Sequence, residues 1–233
     1  MTKKLDSVNW PNTHADFASL LPEVSGNEIN GLNETEVRKA LPFFWHPHDQ
    51  HEFGELATEV VNIQRRSPEI TEHYSREAPR GPKIIKKAAN CLEKTSDDWT
   101  KIVKHFALNN EADDIRITNM SPLYVYEGYK INEPRIIVIG VTMDHDELDK
   151  IPASLTNPAS AVEVARQYNR AARVCRELTN FILSKGFEAK AWAGPFASNL
   201  NMMPAAIDSG MGTLGKHGSL IHGEFGSSFR LSA

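Results

Sequence analysis

The apolar run IIVIGV, from Ile136 to Val141, constrains the fold of this chain most. An uninterrupted run rich in isoleucine and valine is typical of a strand that is buried on both faces. The longest helical pattern follows in NPASAVEVARQYNRAARVCRELTNFILSKGF, whose apolar residues recur at helical spacing until Gly186 ends the helix. A buried strand followed by a long amphipathic helix predicts an α/β core.

Shorter patterns predict the remaining elements. We expect one helix from Pro82 to Leu92, and a second in TKIVKHFALNN, capped by Ser96-Asp97-Asp98. FEAKAWAG predicts a further strand, Pro204 opens a short helix, and SLIH and SFRLSA predict two more strands. The resulting order of strand, helix, strand, helix and strand supports the α/β prediction.

Composition defines the organisation of the chain and excludes some classes of partner. At 233 residues and 40% apolar, the chain can bury one substantial core. Prolines recur through residues 1–82, which predicts an N-terminal extension that wraps over a core domain of residues 83–233. A formal net charge of −4 disfavours nucleic-acid binding. No apolar run approaches the roughly 18 residues of a membrane span or signals export, so a cytoplasmic location without membrane association is expected.

The segment WHPHDQHEF places His46, His48 and His51 close together. Imidazoles at this spacing on a loop could reach one metal ion. Closed zinc sites, however, usually draw their ligands from two separated segments. We therefore interpret the cluster as a polar loop and predict no metal site.

Four polar residues, Asp144 to Glu147, follow the buried strand directly. The carboxyl ends of strands are where α/β proteins gather their chemistry. An acidic loop that caps the next element is the alternative interpretation, and the sequence leaves both open.

The glycines Gly210, Gly212 and Gly215 spell G-x-G-x-x-G. This pattern binds dinucleotides only where a strand precedes it and a helix follows it. Here the preceding residues, NMMPAAIDS, predict a helix instead, so Gly210 is expected to end that helix. The sequence therefore argues against a dinucleotide-binding loop.

The C-terminal segment PAAIDSGMGTLGKHGSLIHGEFGSSFRLSA resembles the corrinoid-dependent reductive dehalogenase family, including its cytoplasmic and uncharacterised relatives, and more distantly epoxyqueuosine reductase. Upstream, WTKIVKHFALNNEADDIRITNMSPLYVYEGY, PRIIVIGVTMDHDELDKIPAS and the long helix resemble that family in order and spacing. The resemblance covers about residues 83–233. It implies an α/β (α+β) fold with a three-layer core like those of nitroreductases and cobalamin-processing proteins, joined to the irregular N-terminal extension.

The same resemblance implies a cofactor and a set of site residues. It implies cobalamin, whose flat corrin ring the backbone approaches at residues without side chains. It assigns Tyr168 as the proton donor and Arg230 as the cation that favours its phenolate. The implied cofactor-binding residues are Gly210, Gly212, Gly215, Lys216, His217 and Gly218.

Family members also carry two iron–sulfur clusters on a following cysteine-rich segment. This chain contains only Cys91 and Cys175, both in helix-like segments where a buried free thiol is expected, and it has no C-x₂-C-x₂-C run. Two [4Fe–4S] clusters are therefore expected only with a further C-terminal segment. The strand-like ending at Ala233 favours a fragment that ends before a ferredoxin-like domain.

The resemblance implies the corrinoid-binding domain of a reductase that acts on a small organic molecule, halogenated or not. An electron-donor protein and a second copy of the chain remain open as partners. The alternative is a module that holds a corrinoid or another flat cofactor without turnover.

Overall fold

The computed structural model describes residues 37–40, 68–75, 80–150, 157–193 and 199–233. The chain divides into two units, residues 1–38 and 39–233, and every described helix and strand lies in the second unit. The division of the chain after residue 82 stays a prediction.

Along the described chain, two helices precede two strands, and three further helices precede three short strands. The helices are α1 (Pro68–Tyr74), α2 (Ser96–Leu108), α3 (His145–Leu148), α4 (Ala159–Ser184) and α5 (Met202–Asp208). The strands are β1 (Asp114–Asn119), β2 (Arg135–Thr142), β3 (Thr213–Leu214), β4 (Leu220–Ile221) and β5 (Phe229–Ser232). The buried strand, the long helix and the two C-terminal strands are therefore confirmed.

The strands are antiparallel, so the fold is α+β. This confirms the α+β class that the resemblance includes, whereas the α/β core predicted from the order of elements was wrong. The main sheet has three strands in the order β1, β2, β5, and both neighbours run opposite to β2. Strands β3 and β4 form a separate antiparallel hairpin. Because the order of elements along a chain does not fix the direction of a strand, the pattern alone could not distinguish the two classes.

Strand β2 is covered on both faces, as its apolar composition requires. Ile139 and Val141 pack with α2 and α4. Ile136 and Val138, on the other face, pack with α5 and with the hairpin. Helical layers on both sides of a sheet agree with a layered core, and its assignment to the nitroreductase type stays a prediction.

Residues 82–92 do not form the predicted helix. The backbone N–H of Ala88 donates to the carbonyl of Leu183, and that of Leu92 donates to the carbonyl of Lys185. The segment is therefore bonded to the end of α4 rather than to itself. Gly186 allows this contact, since it has φ +88° and a Cβ there would collide with the backbone of Asn90.

Residues 187–193, the described part of FEAKAWAG, also do not form the predicted strand, although they lie beside β5. Within the described residues, the backbone of this segment pairs at a single point, where Trp192 exchanges hydrogen bonds with Ala233, the residue after β5. Cys91 lies in residues 82–92, which bond to the end of α4, and it is exposed rather than buried in a helix. Cys175 is buried on α4, as predicted.

Candidate functional site

Tyr168 and Arg230 lie in contact. Arg230 stands on β5 opposite Val141, and its Cζ lies 4.8 Å from the centroid of the Tyr168 ring on α4. Both side chains are half-buried. A guanidinium at this distance over an aromatic face forms a cation–π interaction. The fold thus brings together the two residues that the family resemblance pairs, while their catalytic roles stay predictions.

Arg230 keeps one hydrogen-bond donor unused. Among the described residues, its Nε is buried and has no hydrogen-bond partner. Buried donors normally have a partner, so an unsatisfied one marks a position where an acceptor is favoured. An acceptor that reached this atom would lie next to the Tyr168 ring.

A polar network occupies the same face of the sheet at the end of β2. Asp113 accepts hydrogen bonds from the N–H and hydroxyl of Thr142 at 2.7 and 2.8 Å, and Arg170 donates to it at 2.9 Å. Burial by itself raises the pKa of the Asp113 carboxyl, but the hydrogen bonds from Thr142 and Arg170 outweigh burial and lower it. Asp113 therefore stays a carboxylate and holds Arg170 against the strand end.

Glu163 is the buried anion of this network. Its side chain is 1% exposed. One oxygen accepts from the backbone N–H of Asp144 and from Gln167, both at 2.8 Å, and the other accepts from Arg166 at 3.2 Å. The carboxylate therefore anchors α4 to the segment that follows β2.

The acidic segment after β2 has a local structural role. The Asp144 side chain accepts hydrogen bonds from the backbone N–H groups of Asp146 and Glu147, and it thereby caps helix α3. Of the two interpretations that the sequence leaves open, the capping one is confirmed by this geometry.

The glycine segment folds as the end of α5 followed by the β3–β4 hairpin. Gly210 has φ +76° directly after α5, so it ends that helix as predicted. The preceding helix, rather than a strand, confirms that the segment is not a dinucleotide-binding loop. A Cβ on Gly212 would lie 2.5 Å from the carbonyl oxygen of Ile221, and one on Gly215 would meet the His217 ring. Hairpin packing therefore requires glycine at 212, where a Cβ would strike backbone, whereas at 215 it would strike only side-chain atoms that can move.

The tip of the hairpin is open to solvent. Lys216, His217 and Gly218 are exposed, and nothing lies within 4 Å of a Cβ built on Gly218. Leu214 is 55% exposed and Ile221 is 40% exposed. Leu214 pairs with Leu220 and Ile221 pairs with Thr213, so the two exposed apolar side chains lie on opposite faces of the hairpin. The cofactor-binding role of the hairpin residues stays a prediction.

The sheet separates the two groups of predicted site residues. Ser232, which alternates with Leu231 on β5, bonds to the carbonyl of Ala171 on α4, so Arg230 also faces α4. Met211 and Leu220, from the hairpin region, pack on the opposite face with Val138. Two cavities, of about 530 and 290 Å³, adjoin the carboxyl end of α4, and their linings include neither group.

Sequence reasoning missed another polar cluster on the hairpin side. The Nδ1 atom of His222 accepts from the backbone N–H groups of Glu224 and Phe225, so Nε2 is the donor to Asp114, at 3.1 Å. Burial raises the pKa of Asp114, but its bonds to Arg116 and His222 lower it overall. A lone histidine beside glycines carries no local sign of such a distant partner.

The metal and membrane predictions concern different parts of the chain. His46, His48 and His51 lie outside the described residues. Within the described ranges, no group of three or more histidine, cysteine or acidic side chains is placed to hold a metal ion. None of the helices described there has the length and apolar character needed to cross a bilayer.

No family model and no curated protein matches the chain. Solved structures of reductive dehalogenases are similar to it. One, whose structure suggests a mechanism for B12-dependent dehalogenation, has a TM-score of 0.66 and 15% sequence identity over 84% of this chain. The catabolic reductive dehalogenase NpRdhA, N-terminally tagged, in complex with 3-bromo-4-hydroxybenzoic acid has a TM-score of 0.64 and 16% identity over 84%. This chain covers 30% of each of those chains, and the likeness shows a shared fold.

Proposed function

We propose that residues 83–233 form the corrinoid-binding domain of a reductase that resembles the reductive dehalogenases and reduces a small organic molecule, halogenated or not. The observation that carries this proposal is the likeness of the fold to B12-dependent dehalogenases over most of the chain. The C-terminal glycine motif and the contact between Tyr168 and Arg230 support it independently of the overall fold.

The hairpin residues fit a corrinoid. A corrin ring is wide, flat and largely apolar, and Leu214 offers an exposed apolar side chain beside it. Gly210 and Gly218 leave open space where other residues would carry a Cβ. Lys216 and His217 would reach the polar groups at the rim of the ring. Cobalamin, when bound, supplies the electron chemistry of cobalt.

Tyr168 and Arg230 would together supply the proton that the reaction consumes. The Oη atom of Tyr168 would donate a proton to the reduced substrate carbon, and the adjacent guanidinium would stabilise the phenolate that remains. The unsatisfied Nε–H of Arg230 would donate a hydrogen bond to a substrate oxygen or halide.

Electrons would come from outside the described chain. Cys91 and Cys175 are far too few to hold two [4Fe–4S] clusters. The clusters would belong to a ferredoxin-like segment after residue 233, or a separate electron-donor protein would replace them. Location in the cytoplasm and assembly as a homodimer are further parts of this proposal.

Titration with hydroxocobalamin tests the proposal through the corrin absorption spectrum. We expect a saturable one-to-one spectral change for the parent chain and at least tenfold weaker binding for Leu214→Asp. Leu108→Asp is the matched control, because Leu108 is 49% exposed at the end of α2 and away from the hairpin. A folded parent chain that causes no spectral change near millimolar concentration would exclude the corrinoid assignment.

The alternative function is a module that holds a corrinoid or another flat cofactor without turnover. It is favoured by the position of the hairpin and the Tyr168 pair on opposite faces of the sheet. Turnover of a halogenated phenol with a chemical reductant distinguishes the two functions. The reductase requires a rate above that of free cobalamin, with a large loss in Tyr168→Phe and unchanged cofactor binding; the module predicts no such rate.

A further inference from the structure

A groove of about 530 Å³ lies between the first half of β2, the second half of α4 and residues 187–192. Most of its walls are apolar side chains, including Leu178 and Ile182 from α4 and Trp192 from the opposite wall. It contains no residue of the site proposed above. Its function therefore has to be argued from its own geometry.

One wall of the groove is an unpaired edge of β2. Strand β2 pairs with β1 as far as Arg135, but with β5 only from Ile139 onward. The N–H of Met143 donates to the carbonyl of Ser228. Because backbone groups alternate in direction along a strand, every second residue back from Met143 faces the side of β5. Ile137 therefore directs its N–H and C=O into the groove, where no described strand lies opposite.

On the other wall, too, the backbone has no strand opposite it among the residues that the structure describes. The N–H of Trp192 donates to the carbonyl of Ala233 at 2.6 Å, and the N–H of Ala233 donates to the carbonyl of Trp192 at 3.3 Å. This exchange is a hydrogen-bonded antiparallel pair. Continued along the extended segment before Trp192, the same alternation directs the backbone groups of Lys190 into the groove.

We propose that the groove is the seat of a further β-strand, supplied by polypeptide joined to Ala233, which pairs with Ile137 on one side and Lys190 on the other. Ser232 pairs with Ile139, so the next hydrogen-bonded position along β2, at Ile137, lies opposite the first residue joined to Ala233. The groove lies directly in line with β5. This inference does not depend on the corrinoid function. With the added strand in place, residues 187–193 would form the far edge of a wider sheet.

The groove specifies the composition of that strand. Ser232 bonds to the carbonyl of Ala171 on α4, so the first and third added residues also face α4 and meet Leu178. The second and fourth face Ile136 and Trp192. Both faces are apolar, and a strand that is covered on both faces is rich in valine and isoleucine. The occupant is thus an apolar stretch of about four residues that is added by β-augmentation.

Two extensions of the full chain test the proposal. One adds Val-Val-Val-Val-Lys-Lys after Ala233, and the matched extension adds Gly-Ser-Gly-Ser-Lys-Lys. We expect the valine extension to raise Tm by about 5 °C relative to the glycine-serine one. Amide exchange followed by NMR should slow at least tenfold at Ile137 and Lys190. Val138 should be unchanged, since its N–H already faces β1.

Proline variants of the far wall test the register. Lys190→Pro removes an N–H that faces the groove, whereas Ala189→Pro removes one that faces away. The valine extension should lose its Tm gain in the first variant and keep it in the second. Equal Tm and equal exchange at Ile137 for the two extensions would overturn the proposal, as would an equal loss in both proline variants. Protection of Ile137 by the free valine peptide, without protection by the tethered one, would refute a strand joined to Ala233.

Discussion

Replacement of Glu163 by glutamine should destabilise the chain by about 2–3 kcal/mol. The glutamine oxygen can still accept from the N–H of Asp144 and from Gln167, as the carboxylate does. The amide nitrogen would replace the oxygen that faces Arg166, so two donors would oppose each other in a site that is 1% exposed. A buried donor without an acceptor costs about 1–3 kcal/mol. The lost ion pair adds less than about 1 kcal/mol, because Arg166 is 56% exposed.

Urea unfolding followed by circular dichroism measures this change. At about 2–4 °C per kcal/mol for a chain of this size, Tm should fall by about 4–12 °C. Glu177→Gln is the matched control, since Glu177 lies exposed on the same helix and should change stability by less than about 0.5 kcal/mol. Introducing Arg166→Met should recover part of the Glu163→Gln loss, because it removes the opposing donor. A Glu163→Gln chain as stable as the control would refute the reasoning.

Three further predictions concern other parts of the fold. Burial raises the pKa of the Cys175 thiol to about 12, so a disulfide reagent at pH 8 should react rapidly with the exposed Cys91 alone. Cys91→Ser should abolish the rapid reaction. Rapid modification of two thiols in the parent chain would contradict this. Hydrogen bonds outweigh burial and lower the pKa of Asp113, so its contribution to stability is present above the unfolded pKa near 3.9 and is lost as pH falls through the lower folded value. Asp113→Asn should therefore make stability depend less on pH in this acid range, as measured by unfolding followed by fluorescence. An unchanged pH profile would contradict this. Gly212→Ala should lower Tm by several degrees because its Cβ would strike backbone, while Gly223→Ala, with open space at that position, should leave Tm unchanged; equal shifts would show that the contact is unimportant.

Part of the candidate site could be predicted from the sequence, and part could not. The pairing of Tyr168 with Arg230 came from the resemblance to a family, because no local pattern links a helix to a distant strand. Gly210 was identifiable as a helix end, since positive φ after an apolar helical run is a local requirement. Glu163 was missed because a single glutamate within a helix gives no sign of whether its carboxylate is exposed or buried.

The sequence by itself determined the elements whose signal is local: strand β2 from an apolar run, and helix α4 from a stripe at helical spacing. Tertiary structure decided the direction of the strands and the conformation of residues 82–92 and 187–193, which depends on distant partners. Leu183 and Lys185 bind the first of these segments, and Ala233 binds the second. Periodicity records which face of an element is apolar, but it does not record which other element satisfies its backbone. That choice is made only when the whole core is packed.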